Sequence, residues 1–361
     1  MHRIGKAFTA VALSLPLFAA VPYDARAQTP AAGVDGTLVV VSGGQAEALL
    51  IEPGSRRVLG RFPTGPDPRG VALSPDGRYA YVTSYGLSVG GADAASGSPS
   101  LDGAATTPGA GGVTVIDIAE RRLHAVFDLG EYTNFDHVRV GSRGRKLWMT
   151  STDDGIVEMD TQTGKVTMLW KTGGIDASTL TLSPDDRLVY VTNAGSDEVT
   201  VIDRVTVVPT SVRVGDRPEG IQLSSDGREL WVANSGDNTI TILKARRLDH
   251  VATFESGGIQ PTQLTFHPAG YEVWVSHRGS REVTVIDRAS AGIIGRVSIE
   301  GEPSAIAFSQ DGEIAYVSVP GSHRVVVVDV RTREVIDSLD AGQTPMGVAW
   351  SWQGGVGGPS R

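Results

Sequence analysis

Asp136, His137, Glu219 and His277 are the residues whose types could do chemistry. Two carboxylates and two imidazoles around one cavity would supply the two or three ligands of a hydrolytic metal site and leave a position open for water. Ca²⁺ and Zn²⁺ both suit such a set, and no other cofactor is expected. The four come from three distant segments, Asp136 and His137 being adjacent, so only the fold can bring them together. Arg69, Tyr85, Asn234 and Arg278 join Asp136, His137, Glu219 and His277 as candidates for binding a protein partner or small ligand. No residue is assigned a catalytic role. The absence of cysteine removes thiolate nucleophiles, thiolate metal sites, disulfides and haem attachment. There is no Gly-x-Ser-x-Gly elbow, and the Gly-rich stretch 86 to 112 neither ends in Gly-Lys nor opens a helix.

The elements that must position these residues follow from one recurring phrase. It reads PRGVALSPDGRYAYVTS at 68 to 84, STLTLSPDDRLVYVTN at 178 to 193, PEGIQLSSDGRELWVAN at 218 to 234, PTQLTFHPAGYEVWVSH at 261 to 277 and PSAIAFSQDGEIAYVSV at 303 to 319, with a degenerate copy, DHVRVGSRGRKLWMTS, at 136 to 151. Each copy gives a strand, a tight turn whose Asp-Gly suits positive φ, and a second strand with an aromatic; a third, apolar strand follows. A fourth strand leads to a glycine, and Gly65, Gly130, Gly173, Gly215, Gly257, Gly301 and Gly342 stand 65, 43, 42, 42, 44 and 41 residues apart. Four short strands in about 42 residues make one propeller blade. The count reaches seven only if PMGVAWS at 345 to 351 joins the strands at 38 to 42, 48 to 52 and 57 to 62. The expected fold is therefore an all-β seven-bladed propeller, four antiparallel strands per blade, whose last blade is closed by N- and C-terminal strands.

The repeat assigns most conspicuous residues to architecture. Trp148, Tyr190, Trp231, Trp274 and Tyr316 share one repeat position, which makes them spacers between blades. Asp117, Asp160, Asp203, Asp287 and Asp329 end third strands, where they cap turns. What varies is one face. Inner-strand starts carry Arg69, Asp136, Ser178, Glu219, Thr262, Ser304 and Met346, and second-strand ends carry Gly43, Ser84, Ser151, Asn193, Asn234, His277 and Val319; both rings are expected to face an upper funnel. In the second repeat Tyr132 and Phe135 are expected to plug the gap between blades, with His137 satisfied by a backbone group.

Residues 1 to 27 have the basic start, the apolar stretch and the Ala25-Arg26-Ala27 site of a signal peptide. A linker at 28 to 35, the propeller at 36 to 351 and a Gly-rich tail at 352 to 361 follow. Cleavage removes three basic residues and one acidic one, taking the formal charge from −9 to −11. That sign disfavours non-specific binding to nucleic acid or anionic membranes. The first blade carries a flexible insertion at 86 to 112, too poor in apolar residues to fold alone. A periplasmic or secreted protein with no membrane span after cleavage is expected.

YVTS, YVTN and WVAN, preceded by PDGR-like turns and followed by VTVID, resemble the YVTN family of β-propeller repeats, including YncE-like exported proteins. The resemblance covers nearly the whole mature chain and implies the fold. Its members include surface-layer, DNA-binding, lactonase-related and dehydrogenase-accessory proteins, so single-stranded DNA enters as a partner only through it. The expected function is an exported binding or accessory propeller recognising a protein partner or small ligand through the funnel. The alternative is a lactonase-like or quinone-linked enzyme.

Overall fold

The computed structural model describes residues 36–86, 112–130, 132–153 and 155–352. The leader, the linker, the insertion between Gly86 and Gly112, Glu131 and the tail beyond Trp352 lie outside the described residues. Among those described, no helix is long and apolar enough to cross a membrane.

Seven sheets of four antiparallel strands form the molecule. Their inner strands are Pro68–Leu73 (blade 1), Phe135–Val140 (blade 2), Ala177–Leu182 (blade 3), Pro218–Leu223 (blade 4), Pro261–Phe266 (blade 5), Ile306–Phe308 (blade 6) and Pro345–Ser351 (blade 7). Each inner strand touches those of the two neighbouring blades, so the seven close a ring. Blade 7 is split as its sequence requires: Pro345–Ser351 pairs with Thr37–Ser42 in a register running from Thr37 opposite Ser351 to Ser42 opposite Pro345. Closure gives the inner strand of blade 7 the same ladder partner that the other six inner strands have.

Burial follows the repeat. Trp148, Trp231 and Trp274 have no exposed surface, and Tyr190 and Tyr316 are 1% exposed. Trp274 meets Phe308 of the next blade edge-on with ring centres 5.4 Å apart, so the aromatics set the spacing between blades. The third-strand aspartates cap turns: Asp117 Oδ1 accepts from the Glu120 N–H, Asp287 Oδ1 from Ser290 and Asp329 Oδ1 from Thr332. Five of the seven spacing glycines, Gly130, Gly173, Gly257, Gly301 and Gly342, have positive φ, the conformation for which glycine is suited.

One repeat position fixes the inner strands to each other. The penultimate hydroxyl of the second strand donates to the start of the next blade: Thr150 to the Ser178 carbonyl (2.6 Å), Thr192 to Glu219 (3.2 Å) and Ser318 to Met346 (3.0 Å). These bonds hold the backbone beneath the funnel residues, so the funnel rim inherits the rigidity of the ring.

Candidate functional site

A cavity of ≈ 690 Å³ opens along the axis, and all seven inner-strand start positions line it. Inner strands carry one blade residue each to the mouth because every blade begins at the same end of the ring. The mouth therefore shows six kinds of side chain at seven positions of a repeated backbone.

The charges at the rim are clamped in two groups. Arg69 Nη1 donates to Asp136 Oδ1 at 3.2 Å, while its Nε and Nη2 donate to Asp67 Oδ2 at 3.3 and 3.1 Å. Its guanidinium also lies 3.6 Å from the ring centre of Tyr85, a cation–π contact. Across the mouth, Glu219 Oε1 accepts from Arg217 Nε at 3.0 Å, and its Oε2 lies 3.5 Å from Arg278. The Ser235 hydroxyl adds a bond to Glu219 Oε1 at 2.9 Å. Asp136 keeps 32% of its side chain open to the cavity, yet protein surrounds it on nearly every side. That desolvation pushes its carboxyl above the ordinary value, against the pull of Arg69.

Deeper in, His137 accepts a hydrogen bond at Nδ1 from the Leu180 N–H at 3.4 Å. Burial, helped by the charge of Arg139, holds its imidazole well below its ordinary pKa. A neutral ring that accepts at Nδ1 carries its proton on Nε2. Gln263 performs the same service three blades on, accepting from the Ile306 N–H at 3.0 Å. Arg139 crosses from blade 2 to blade 4, where Nη2 donates to Gln222 Oε1 at 3.2 Å.

Six of the expected site residues, Arg69, Tyr85, Asp136, His137, Glu219 and Arg278, line this cavity together. Asn234 and His277 do not. The ring of second-strand ends was expected to face the funnel, but Ser84, Ser151, Asn193, Asn234, His277 and Val319 have no exposed surface. The loop that leads into each inner strand passes directly over the end of the second strand. A Cβ on Gly258 would stand 2.5 Å from the His277 ring, and one on Gly174 would stand 2.4 Å from Asn193. His277 is thus sealed inside the wall, bonded at Nδ1 to the Val275 carbonyl (3.1 Å) and at Nε2 to the Ser256 hydroxyl (3.0 Å). Asn234 Nδ2 donates to Thr239 and Thr241, both at 2.9 Å. The metal set Asp136, His137, Glu219 and His277 is correspondingly not assembled, and among the described residues no group of three His, Cys, Asp or Glu could hold a metal ion.

As for the second repeat, Phe135 is fully buried and Tyr132 packs against the same cluster, so both fill the space between blades. Arg139, Gln222 and Arg217 line the cavity but were missed. Arg139 could have been found: its repeat position is otherwise Ala72, Thr181, Gln222, Thr265, Ala307 and Ala349, and a lone arginine among small and neutral residues stands out.

The fold and cavity define a seven-bladed β-propeller with a polar axial funnel. Residues 197–299 match the family described as Lactonase, 7-bladed beta-propeller. No curated protein matches the chain. Among solved structures, a functionally unknown protein from Desulfotomaculum acetoxidans DSM 771 superposes with a TM-score of 0.69 at 14% identity, over 87% of this chain and 98% of that one. The periplasmic gluconolactonase PpgL of Pseudomonas aeruginosa gives 0.68 at 18% identity, over 88% and 99%. The dihydro-heme d1 dehydrogenase NirN gives 0.61 at 18% identity, over 88% and 75%. At these identities the likeness is one of fold.

Proposed function

We propose that this is an exported propeller that binds a small polar organic molecule in the axial funnel. The observation that carries this reading is the rim itself: Asp136 and Glu219, held in place by Arg69, Arg217 and Arg278, both line a ≈ 690 Å³ cavity. A cavity of that size suits a small molecule, and preorganised charges suit hydroxyl groups on it. The leader at 1 to 27 supports export. DNA binding is less well supported, because the rim arginines already face carboxylates and the chain is acidic.

Lactone hydrolysis is the second reading, favoured by the family match over 197–299 and by the elevated carboxyl of Asp136. A carboxyl shifted upward is better placed to exchange a proton near neutral pH. In that role Asp136 would be the acid–base group and Glu219 would orient the sugar-like ring.

Titration calorimetry and pH-stat assays with sugar lactones and their free acids test both. Binding without turnover is the result expected for the binding protein. Turnover that falls about 10²- to 10⁴-fold in Asp136→Asn would move the assignment to the lactonase reading. Neither binding nor turnover by any of these compounds would sink both. Glu219→Gln is expected to weaken ligand binding while lowering stability by less than about 1 kcal/mol, because its arginine partners are more than half exposed. A thermal melt of the variant checks the second half of that statement.

A further inference from the structure

We infer that the waist of the funnel is a receptor for one carboxylate group, with Arg139 as its counter-ion. The inference rests on the reading of the funnel as a small-molecule site and names the chemistry of its ligand.

Among the described charged residues that line the cavity, Arg139 and the rim carboxylate Asp176 have no ion-pair partner, and no ion pair joins the two. Every rim cation has a carboxylate: Arg69 has Asp67 and Asp136, and Arg217 and Arg278 share Glu219. Arg139 has no ion-pair partner among the described residues. It donates only to two neutral oxygens, the Val138 carbonyl at 3.4 Å and Gln222 Oε1 at 3.2 Å. A guanidinium carries five N–H bonds, so most of its donor capacity is unspent. Burial lowers its pKa to about 10, which still leaves it charged at neutral pH. Arg139 is part-buried in the cavity wall, and a cation drawn partly out of water without an anion favours a ligand that supplies the missing charge.

Hydrogen-bond accounting gives the same sign. Gln222 Oε1 already accepts from Arg139, Gln263 Oε1 from the Ile306 N–H, and His137 Nδ1 from the Leu180 N–H. These side chains therefore present two amide NH₂ groups and one imidazole N–H, against one remaining lone pair on each amide oxygen. With Arg139 they line one cavity. The waist therefore holds a surplus of donors, and what satisfies a surplus of donors around a cation is an anionic acceptor. Single charge and planar shape favour a carboxylate, which a guanidinium can meet with two parallel bonds. A phosphate dianion would replace one unbalanced charge by another, close to Asp136.

The test compares acetate, lactate and gluconate with the neutral polyol sorbitol and with inorganic phosphate, by titration calorimetry and thermal shift at neutral pH. Wild-type protein is expected to bind at least one of these carboxylates more tightly than sorbitol or phosphate. Arg139→Gln is expected to weaken that carboxylate about ten- to a hundredfold, to leave sorbitol unchanged, and to melt no lower than wild type without ligand. Arg139→Lys is expected to recover part of the affinity, since it restores charge without the planar fork. Carboxylate affinity that survives Arg139→Gln overturns the inference and leaves the small-molecule reading standing, as does a preference for phosphate or sorbitol in the wild type. An unliganded Arg139→Gln that melts well below wild type also overturns it, because it assigns Arg139 to holding the blades. Failure of every small molecule to bind removes both readings.

Discussion

A chain ending at Thr344 is expected to show no cooperative thermal transition. Of the seventeen residues it lacks, Pro345–Ser351 form the inner strand of blade 7, and their loss opens the ring at its narrowest part. All six residues of Thr37–Ser42 are buried, and this strand would lose one of its two partners. Trp350, which stacks on Tyr316 at 5.2 Å with 7° between the planes, would leave the core along with Val348. The links to both neighbouring blades would go too: Ser318 to the Met346 carbonyl on one side and Ser351 to the Gly77 carbonyl on the other. Trp350 is only partly buried and so contributes less than the about 3–5 kcal/mol of a fully buried tryptophan, but buried Val348 and the strand ladder add to it, against a total stability of about 5–15 kcal/mol. Circular dichroism during heating, with a dye for exposed apolar surface, reads the outcome. A cooperative melt within a few degrees of the full chain would show that six blades suffice.

That dependence on the C-terminal strand was legible in the sequence, because the repeat of about 42 residues leaves PMGVAWS without a second strand and LVVVS without a first. Period and turn chemistry are local properties, so they survive in a single sequence. The inner ring of site residues was legible for the same reason: a residue at the start of an inner strand has nowhere to point except the mouth. The second ring was not. Alternation along Glu272–His277 says which side of the sheet His277 takes, but a neighbouring loop decides whether that side is open. Here the decision is made by Gly258, whose missing side chain lets the loop lie on the imidazole. Arg139 was hidden differently. It sits in the most degenerate copy, where the eye accepts departures from the pattern, and its meaning depends on the carboxylate it lacks, which no linear pattern displays.

Acidification is expected to weaken the protein well before its carboxylates are protonated, and His277→Asn is expected to remove much of the effect. Burial holds the His277 imidazole down to about 4 in the folded protein, against about 6.5 when the chain is unfolded. Between those values the unfolded chain takes up a proton that the folded one refuses, so stability is complete above pH 6.5 and falls as the pH drops toward 4. At pH 5 the loss is about 2 kcal/mol from this residue alone. His137, also held low by burial, pulls in the same direction. Asp136 opposes them, since burial raises its carboxyl and the folded state protonates first. Asp226 lies outside the window: held at about 2, chiefly by the Ser224 hydroxyl, it loses its contribution only below pH 3.8. The repeat itself supplies the conservative replacement, because Asn193 and Asn234 occupy the position of His277 in blades 3 and 4 and donate to Thr200 and Thr241 there. Blade 5 keeps the matching hydroxyl on Thr284. His277→Asn should therefore fold with near wild-type stability at pH 7.5 and lose distinctly less of it by pH 5. Urea unfolding at the two pH values measures the difference, and equal losses in both proteins would place the acid sensitivity elsewhere in the ring.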